Sequence, residues 1–224
     1  MILIIDKSKR ERELIQDMLH YMGIPSYAAS IDELENEDFS LYRAVLVSSP
    51  NRFLDATSII ARIKERDDIP IFALGDTADR KFYDKVFLTN TFSPAIIEEM
   101  SVWLTENGRT PIGVFRLAGI DASLDLPTPT MLGRKVGFTK TEAIILRTLI
   151  AAYPTPLLTR DVLKFSFRQS RMPEMPSVRT HISVMNRRMM KEFYRELTLS
   201  LGGGGYVIAT PEIKARLKQD GVLV

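Results

Sequence analysis

The chain contains no cysteine and only two histidines, His20 and His181. Without thiols it cannot form a disulfide, a thiolate metal site or a cysteine nucleophile, and two isolated imidazoles leave little for zinc. Long apolar runs are missing as well. No stretch approaches the roughly 20 apolar residues of a membrane span. The opening apolar run, residues 1–5, gives way at once to Asp6 and is too short for the apolar region of a signal peptide. The expected compartment is the cytoplasm, with no membrane association. No nucleophile with a base, no carboxylate pair with a cleft and no metal cluster stands out, so neither an enzyme nor a cofactor is expected.

Charge is abundant and unevenly distributed. Residues 1–108 hold 12 Lys and Arg against 19 Asp and Glu, net −7, whereas residues 109–224 hold 18 against 9, net +9. A basic half suggests a polyanionic partner, although uneven charge also serves solubility. A length of 224 residues suits two domains, here 1–107 and 108–224.

In the first half, short apolar runs at residues 2–5, 44–47 and 69–74 have the pattern of parallel strands covered on both faces. Between them lie helical patterns. Residues 8–22 place Leu14, Ile15, Met18, Leu19 and Met22 on one face, with Gly23 where a left-handed cap belongs. Ser30 with Glu33 has capping-box spacing, Asp55 can cap a helix running to about Asp67, and Ser93-Pro94 marks a helix start. Five strands with intervening helices predict an α/β doubly wound parallel sheet of the flavodoxin-like type. Its site would lie beyond the strand ends, near Asp6, Ser48, Gly75 and Asn90. No glycine-rich loop follows the first strand, so a nucleotide cradle is not expected.

In the second half, residues 114–117 and 135–138 read as short antiparallel strands. Thr139 with Glu142 opens a helix whose apolar side is Ile144, Ile145, Leu149 and Ile150 and which ends near Tyr153-Pro154. Thr159 is placed to cap a short helix containing Val162, Leu163 and Phe165. After a loop with Arg168, Arg171, Pro173 and Pro176, a third helix should begin near Ser177. At 100° per residue Val178, Ile182, Met185 and Met189 form its core stripe. Thr180, Ser183, Val184, Arg187 and Lys191 point away, with Arg179, His181, Asn186 and Arg188 on the flanks. That outer face suits a DNA major groove, where Arg reads guanine and Asn adenine; a solvated surface helix has the same pattern.

The run from Val178 to Met189, with its His181-Ile182-Ser183, resembles the recognition helix of the OmpR/PhoB response regulators. Gly202 to Ile208, with the pair Gly205-Tyr206, resembles that family's wing, and Ile2 to Asp6 resembles the first strand of its receiver. The resemblance spans residues 1–105 and 110–210. It implies a winged helix-turn-helix domain after a receiver, double-stranded DNA as partner, and a loop at residues 167–176 that meets RNA polymerase, although Arg168 and Arg171 in that loop could as easily touch phosphates. By the same resemblance His181 corresponds to a phosphate contact, and Ser183, Val184 and Asn186 to base contacts. Gly202 stands where the family has a wing arginine, and Tyr206 reads as a core residue.

The receiver departs from the family pattern. Lys7 replaces the second acidic residue beside Asp6, Ser48 the acceptor aspartate, Gly75 the hydroxyl residue of the fourth strand and Asn90 the lysine of the fifth. Phosphoryl transfer needs a carboxylate nucleophile, clustered carboxylates for Mg²⁺ and a cation, so aspartyl phosphorylation is not expected, and Asp6 reads as a local structural residue. Two functions follow: a phosphorylation-independent transcription regulator, or an adaptor that binds another regulator or polymerase without touching DNA. A homodimer is expected through the fourth and fifth receiver helices, Arg80, Lys81 and Lys85 facing Glu98, Glu99 and Glu106, with Val102 among the glutamates. Residues 211–224 read as an extra short helix of no assigned role.

Overall fold

The structure is a computed structural model that describes all residues except 35–36, 49–55, 67, 78–79, 90, 168–174 and 223–224, and the side chains of 56, 57, 66, 175 and 176. Contacts divide the chain into two compact units, Met1–Ile112 and Gly113–Val224. Residues 109–112 pack with the first unit, where Arg109 donates to the backbone and carboxylate of Asp68 at 2.7 and 2.6 Å.

The first unit is built on strands β1 (Ile2–Ile5), β2 (Ser26–Ala29), β3 (Ala44–Ser48), β4 (Ile71–Leu74) and β5 (Lys85–Phe87). All pair in parallel in the order β2-β1-β3-β4-β5. The three inner strands β1, β3 and β4 are buried along their whole length, which is why they carry no polar alternation. Helix α1 (Lys9–Tyr21) is capped by the Ser8 hydroxyl, which accepts from the Glu11 amide, and Gly23 takes the left-handed φ of 80° beyond its end. Its face is narrower than expected: Ile15 and Leu19 are buried while Leu14 stands in solvent, and Gln16 is buried instead, donating to the Ser26 carbonyl at 3.0 Å. Helix α2 (Ala56–Arg66) precedes β4, and the expected ends at Asp55 and Asp67 lie outside the described residues. Helix α3 (Pro94–Glu106) buries Ile96, Ile97, Met100 and Leu104, and Trp103 meets Phe72 edge to face.

Two expected helices are single 3₁₀ turns. Ser30 and Glu33 do bond as a box, yet among the described residues they open the turn Ile31–Leu34, and a second turn, Phe39–Leu41, follows before β3. Asp32, Glu33, Glu35, Glu37 and Asp38 crowd this segment, and like charges such as Glu33 and Glu37, four apart, oppose a longer helix. Between β4 and β5 the one helical turn among the described residues is Arg80–Phe82.

The second unit opens with a four-stranded antiparallel sheet, β6 (Arg116–Leu117), β7 (Ile120–Asp121), β8 (Thr130–Met131) and β9 (Arg134–Lys135). Helix α4 (Lys140–Ala152) follows with both halves of its capping box formed by Thr139 and Glu142. Strand β10 (Leu157–Leu158), α5 (Thr159–Ser166) and α6 (Met175–Phe193) come next, then the hairpin β11 (Thr198–Leu201) and β12 (Gly205–Ile208), which completes a three-stranded sheet in the order β10-β12-β11. Thr159 is not the cap of α5. Asp161 accepts the Leu158 amide, and the Thr159 hydroxyl donates to the Gly204 carbonyl of the hairpin at 3.1 Å. The last helix, α7 (Pro211–Gln219), is capped by Thr210 and packs Ile213 and Leu217 onto Leu199 and Val207 of the hairpin. A parallel sheet in receiver order is followed by a helix-turn-helix with a hairpin wing. The fold is that of a receiver joined to a winged helix.

Candidate nucleic-acid interface

Helix α6 divides its residues by burial as its periodicity requires. Val178, Ile182, Met185 and Met189 are all at most 2% exposed, while Arg179, Thr180, Ser183, Arg187 and Lys191 are exposed and His181 and Val184 half-buried. Polar and cationic side chains therefore cover the outer face of a helix whose inner face is locked into the core. Such a surface can approach a nucleic-acid groove without unfolding anything.

Two of the expected contact residues are turned inward. Asn186 was expected to read a base, but its amide ties α6 to the start of β11. It donates to the Thr198 carbonyl at 3.2 Å and accepts from the Thr198 amide and hydroxyl at 2.9 and 3.2 Å. With both ends of the amide engaged at home, a bidentate contact to adenine would require breaking the hold on the wing. Arg188 likewise reaches back to α4, donating to Glu142 at 3.0 Å, with its guanidinium 5.5 Å from the centre of the Phe138 ring. Burial works against the Glu142 carboxylate, yet the Thr139 amide and the Arg188 guanidinium outweigh it and hold the group below its ordinary value. A single carboxylate thus completes the cap of α4 and fixes the pitch of α6.

The wing carries no cation at its tip. Gly203 and Gly204 adopt φ of 79° and 83°, and a Cβ at Gly204 would lie 3.6 Å from the Arg179 guanidinium, so the tip lies close beside the helix. Tyr206 is buried in β12, opposite Leu157 and Ser200, as a core residue. Arg168 and Arg171, in the loop expected to meet polymerase, lie outside the described residues.

In the first unit the strand ends bring Asp6, Ser48 and Gly75 to the same edge of the sheet. Asp6 is fully buried, and its carboxylate accepts the Ser8 amide at 2.6 Å just before α1. Burial pushes its carboxyl up, opposed by the Ser8 amide and the Ser48 hydroxyl and reinforced by Glu11. Ser48 is buried as well, Gly75 uses φ of 107° while its amide joins Phe87, Lys7 is exposed and Asn90 is outside the described residues. Arg12 donates to the Asp6 and Lys7 carbonyls at 2.9 and 3.3 Å, so its guanidinium serves the backbone there. Among the described residues no group of three or more His, Asp or Glu could hold a metal, and no helix is long and apolar enough to cross a membrane.

The expected dimer surface changes as well. Among the described residues no helix runs through 80–85: Arg80 and Lys81 sit on the 3₁₀ turn and Lys85 on β5. Two of the charges assigned to a partner are met within the chain, Lys85 by Glu99 at 3.1 Å and Arg80 by Asp76 at 2.9 Å. Val102 remains 55% exposed, with Glu98 and Glu106 exposed on the same helix.

No family model matches the chain, and no curated protein matches it. Among solved structures it is similar to the response regulator DrrB, an OmpR/PhoB homologue of Thermotoga maritima, at 16% identity over 93% of this chain and 98% of that one, with a TM-score of 0.39. A redox sensor of the streptococci, from a family evolved from two-component response regulators, matches at 12% identity with the same coverage and TM-score. A mutant of RitR matches at 11% identity, again with coverage of 93% and 98% and a TM-score of 0.39.

Proposed function

We propose that the protein is a sequence-specific, non-enzymatic DNA-binding transcription regulator whose receiver unit works without aspartyl phosphorylation. The observation that carries this reading is the outer face of α6, where Arg179, Thr180, Ser183, Arg187 and Lys191 stand exposed on a helix anchored by four buried side chains. The excess of cations in residues 109–224 favours a polyanion. Base contacts fall to Thr180, Ser183, Val184 and Arg187, and phosphate contacts to His181, Arg179 and Lys191. Asn186 and Arg188 position the helix instead. A homodimer through the α3 face around Val102, and a polymerase contact through residues 167–176, belong to the same reading.

Arg187→Ala is expected to weaken binding to the preferred site about tenfold, as loss of one good base contact does, with no change in thermal stability. His181→Ala should weaken all sequences alike. Genome-wide site mapping followed by salt-dependent gel shifts checks both; an adaptor that never touches DNA would show no salt-dependent shift at all. Phosphoryl donors are expected to leave the receiver unchanged. A buried serine hydroxyl cannot form an acyl phosphate, and Asp6 already holds the start of α1. Amide spectra recorded with Mg²⁺ and beryllofluoride should show no saturable shifts near Asp6 and Ser48, and such shifts would refute phosphorylation independence.

A further inference from the structure

The tip of the wing, Gly202–Gly204, has no side chain of its own, and three elements meet beside it. Thr159, buried at the start of α5, donates its hydroxyl to the Gly204 carbonyl at 3.1 Å and so ties the tip to the core. Where a Cβ would stand on Gly204, the Arg179 guanidinium of α6 lies 3.6 Å away and the Thr159 hydroxyl 3.7 Å away. A longer side chain grown from that point would contend with Arg179 for the same space, and glycine leaves the place to the guanidinium. Gly202 and Gly203 are exposed. With no side chain over them, their backbone can be approached closely by a ligand.

Arg179 is exposed and belongs to the flank of α6. At 100° per residue it lies about 90° round the helix from the centre of the buried stripe, whereas Arg187 lies about 170° round. Arg187 thus faces straight outward and Arg179 sideways, where it meets the hairpin. A guanidinium steadied against glycine backbone keeps its planar fork of donors for an anion, a shape that suits two oxygens of one phosphate. The tip lacks a cation, and α6 brings one to it. We infer that Arg179 and the glycine tip together bind one phosphodiester of the duplex, so that the wing meets DNA through a backbone charge and reads no base there. This assignment rests on the DNA-binding reading proposed above and states what the wing contributes to it.

The full chain is titrated by fluorescence anisotropy with a duplex from the site mapping and with a shuffled duplex of equal length, over a series of salt concentrations. Arg179→Gln should weaken both about tenfold and lower the slope of log affinity against log salt by about one per chain, with denaturant unfolding unchanged. Lys218→Gln, which removes an exposed cation of α7, should alter neither quantity. On the mapped duplex, single methylphosphonate linkages then remove one charge at a time. One position per bound chain should weaken the wild type about tenfold and leave Arg179→Gln unaffected, while Arg187→Ala stays sensitive to it. Gly204→Asn, a residue that tolerates left-handed backbone, should reproduce Arg179→Gln, and the double variant should bind no more weakly than either single one. An unchanged slope in Arg179→Gln, a loss confined to duplexes altered at one base pair, or losses that add in the double variant would overturn the phosphate site and leave the DNA-binding reading standing. A wild type that binds neither duplex would refute that reading and the phosphate site with it.

Discussion

Glu142→Ala is expected to destabilise the second unit by about 3 kcal/mol, toward the lower end for removal of one partner from a buried ion pair. Glu142 is 3% exposed, and its Oε2 accepts both the Thr139 amide at 2.7 Å and the Arg188 guanidinium at 3.0 Å. Its loss therefore removes half of a capping box and leaves a cation, itself 26% exposed at the side chain, beside the Phe138 ring and without a carboxylate partner among the described residues. The residual exposure of Arg188 keeps the estimate from rising further, because water can partly resolvate the guanidinium. Arg188→Met in the Glu142→Ala background should recover part of the loss, since two apolar groups in that place need no desolvation of charge. Denaturant unfolding followed by far-ultraviolet circular dichroism reads the loss. Fluorescence from Trp103, the only tryptophan and a residue of the first unit, should stay unchanged. The pH dependence has a definite sign. A carboxylate held below its ordinary value of 4.5 stabilises the fold above that pH and loses the contribution as pH falls through the folded value. The gap between wild type and Glu142→Gln should accordingly close below about pH 4.5. A gap that persists into acid, or a loss under about 1 kcal/mol for Glu142→Ala, would mean that the pair does not hold α6.

Features set by local periodicity and local hydrogen bonds were legible in the sequence. The stripe Val178, Ile182, Met185 and Met189 is buried as its spacing demands, and the Thr139–Glu142 box forms because its two partners are three residues apart. Long-range commitments were not legible. Nothing in the order of residues says that Asn186 must hold Thr198 or that Arg188 must reach Glu142, 46 residues away. Both side chains have the right chemistry for DNA, and the family resemblance points Asn186 to a base as well. A helix that must be pinned at a fixed pitch against a hairpin needs polar side chains on its inner flanks, and those flanks are periodic with the outer face. The same limit explains Leu14. It shares a face with Ile15 by spacing, yet it stands 60% exposed while Gln16, donating to the Ser26 carbonyl, is buried. The converse is the capping box at Ser30, locally correct, which among the described residues opens a 3₁₀ turn in an acidic segment where a helix was expected.

Ending the chain at Thr210 is expected to cost the second unit about 4 kcal/mol, a large share of the 5 to 15 kcal/mol that usually holds a domain together. Helix α7 supplies none of the proposed DNA contacts, and its sequence alone shows no role. Its packing does. Ile213 and Leu217 are 2% and 6% exposed and close over Leu199 and Val207, which belong to the two wing strands. Each full burial of a branched aliphatic side chain contributes roughly 1.5 to 3 kcal/mol, so losing two while uncovering parts of two more gives the stated figure after allowance for relaxation. The wing sheet has only three short strands, and a two-sided sheet needs both faces covered. One face meets the helices of the unit, and α7 covers the other, fastened at its start by the Tyr153 hydroxyl against Thr210 at 3.0 Å. An ionic explanation is separable from this one. Lys214 and Glu196 lie 2.8 Å apart but are 42% and 48% exposed, and exposed pairs contribute less than about 1 kcal/mol. Lys214→Ala should therefore leave stability almost unchanged, whereas the shortened chain should unfold its second unit at markedly lower denaturant and bind DNA poorly for want of an ordered wing. If Lys214→Ala matched the truncation, or if the shortened chain unfolded like the full one, the apolar seal between α7 and the wing would not be what holds the hairpin in place.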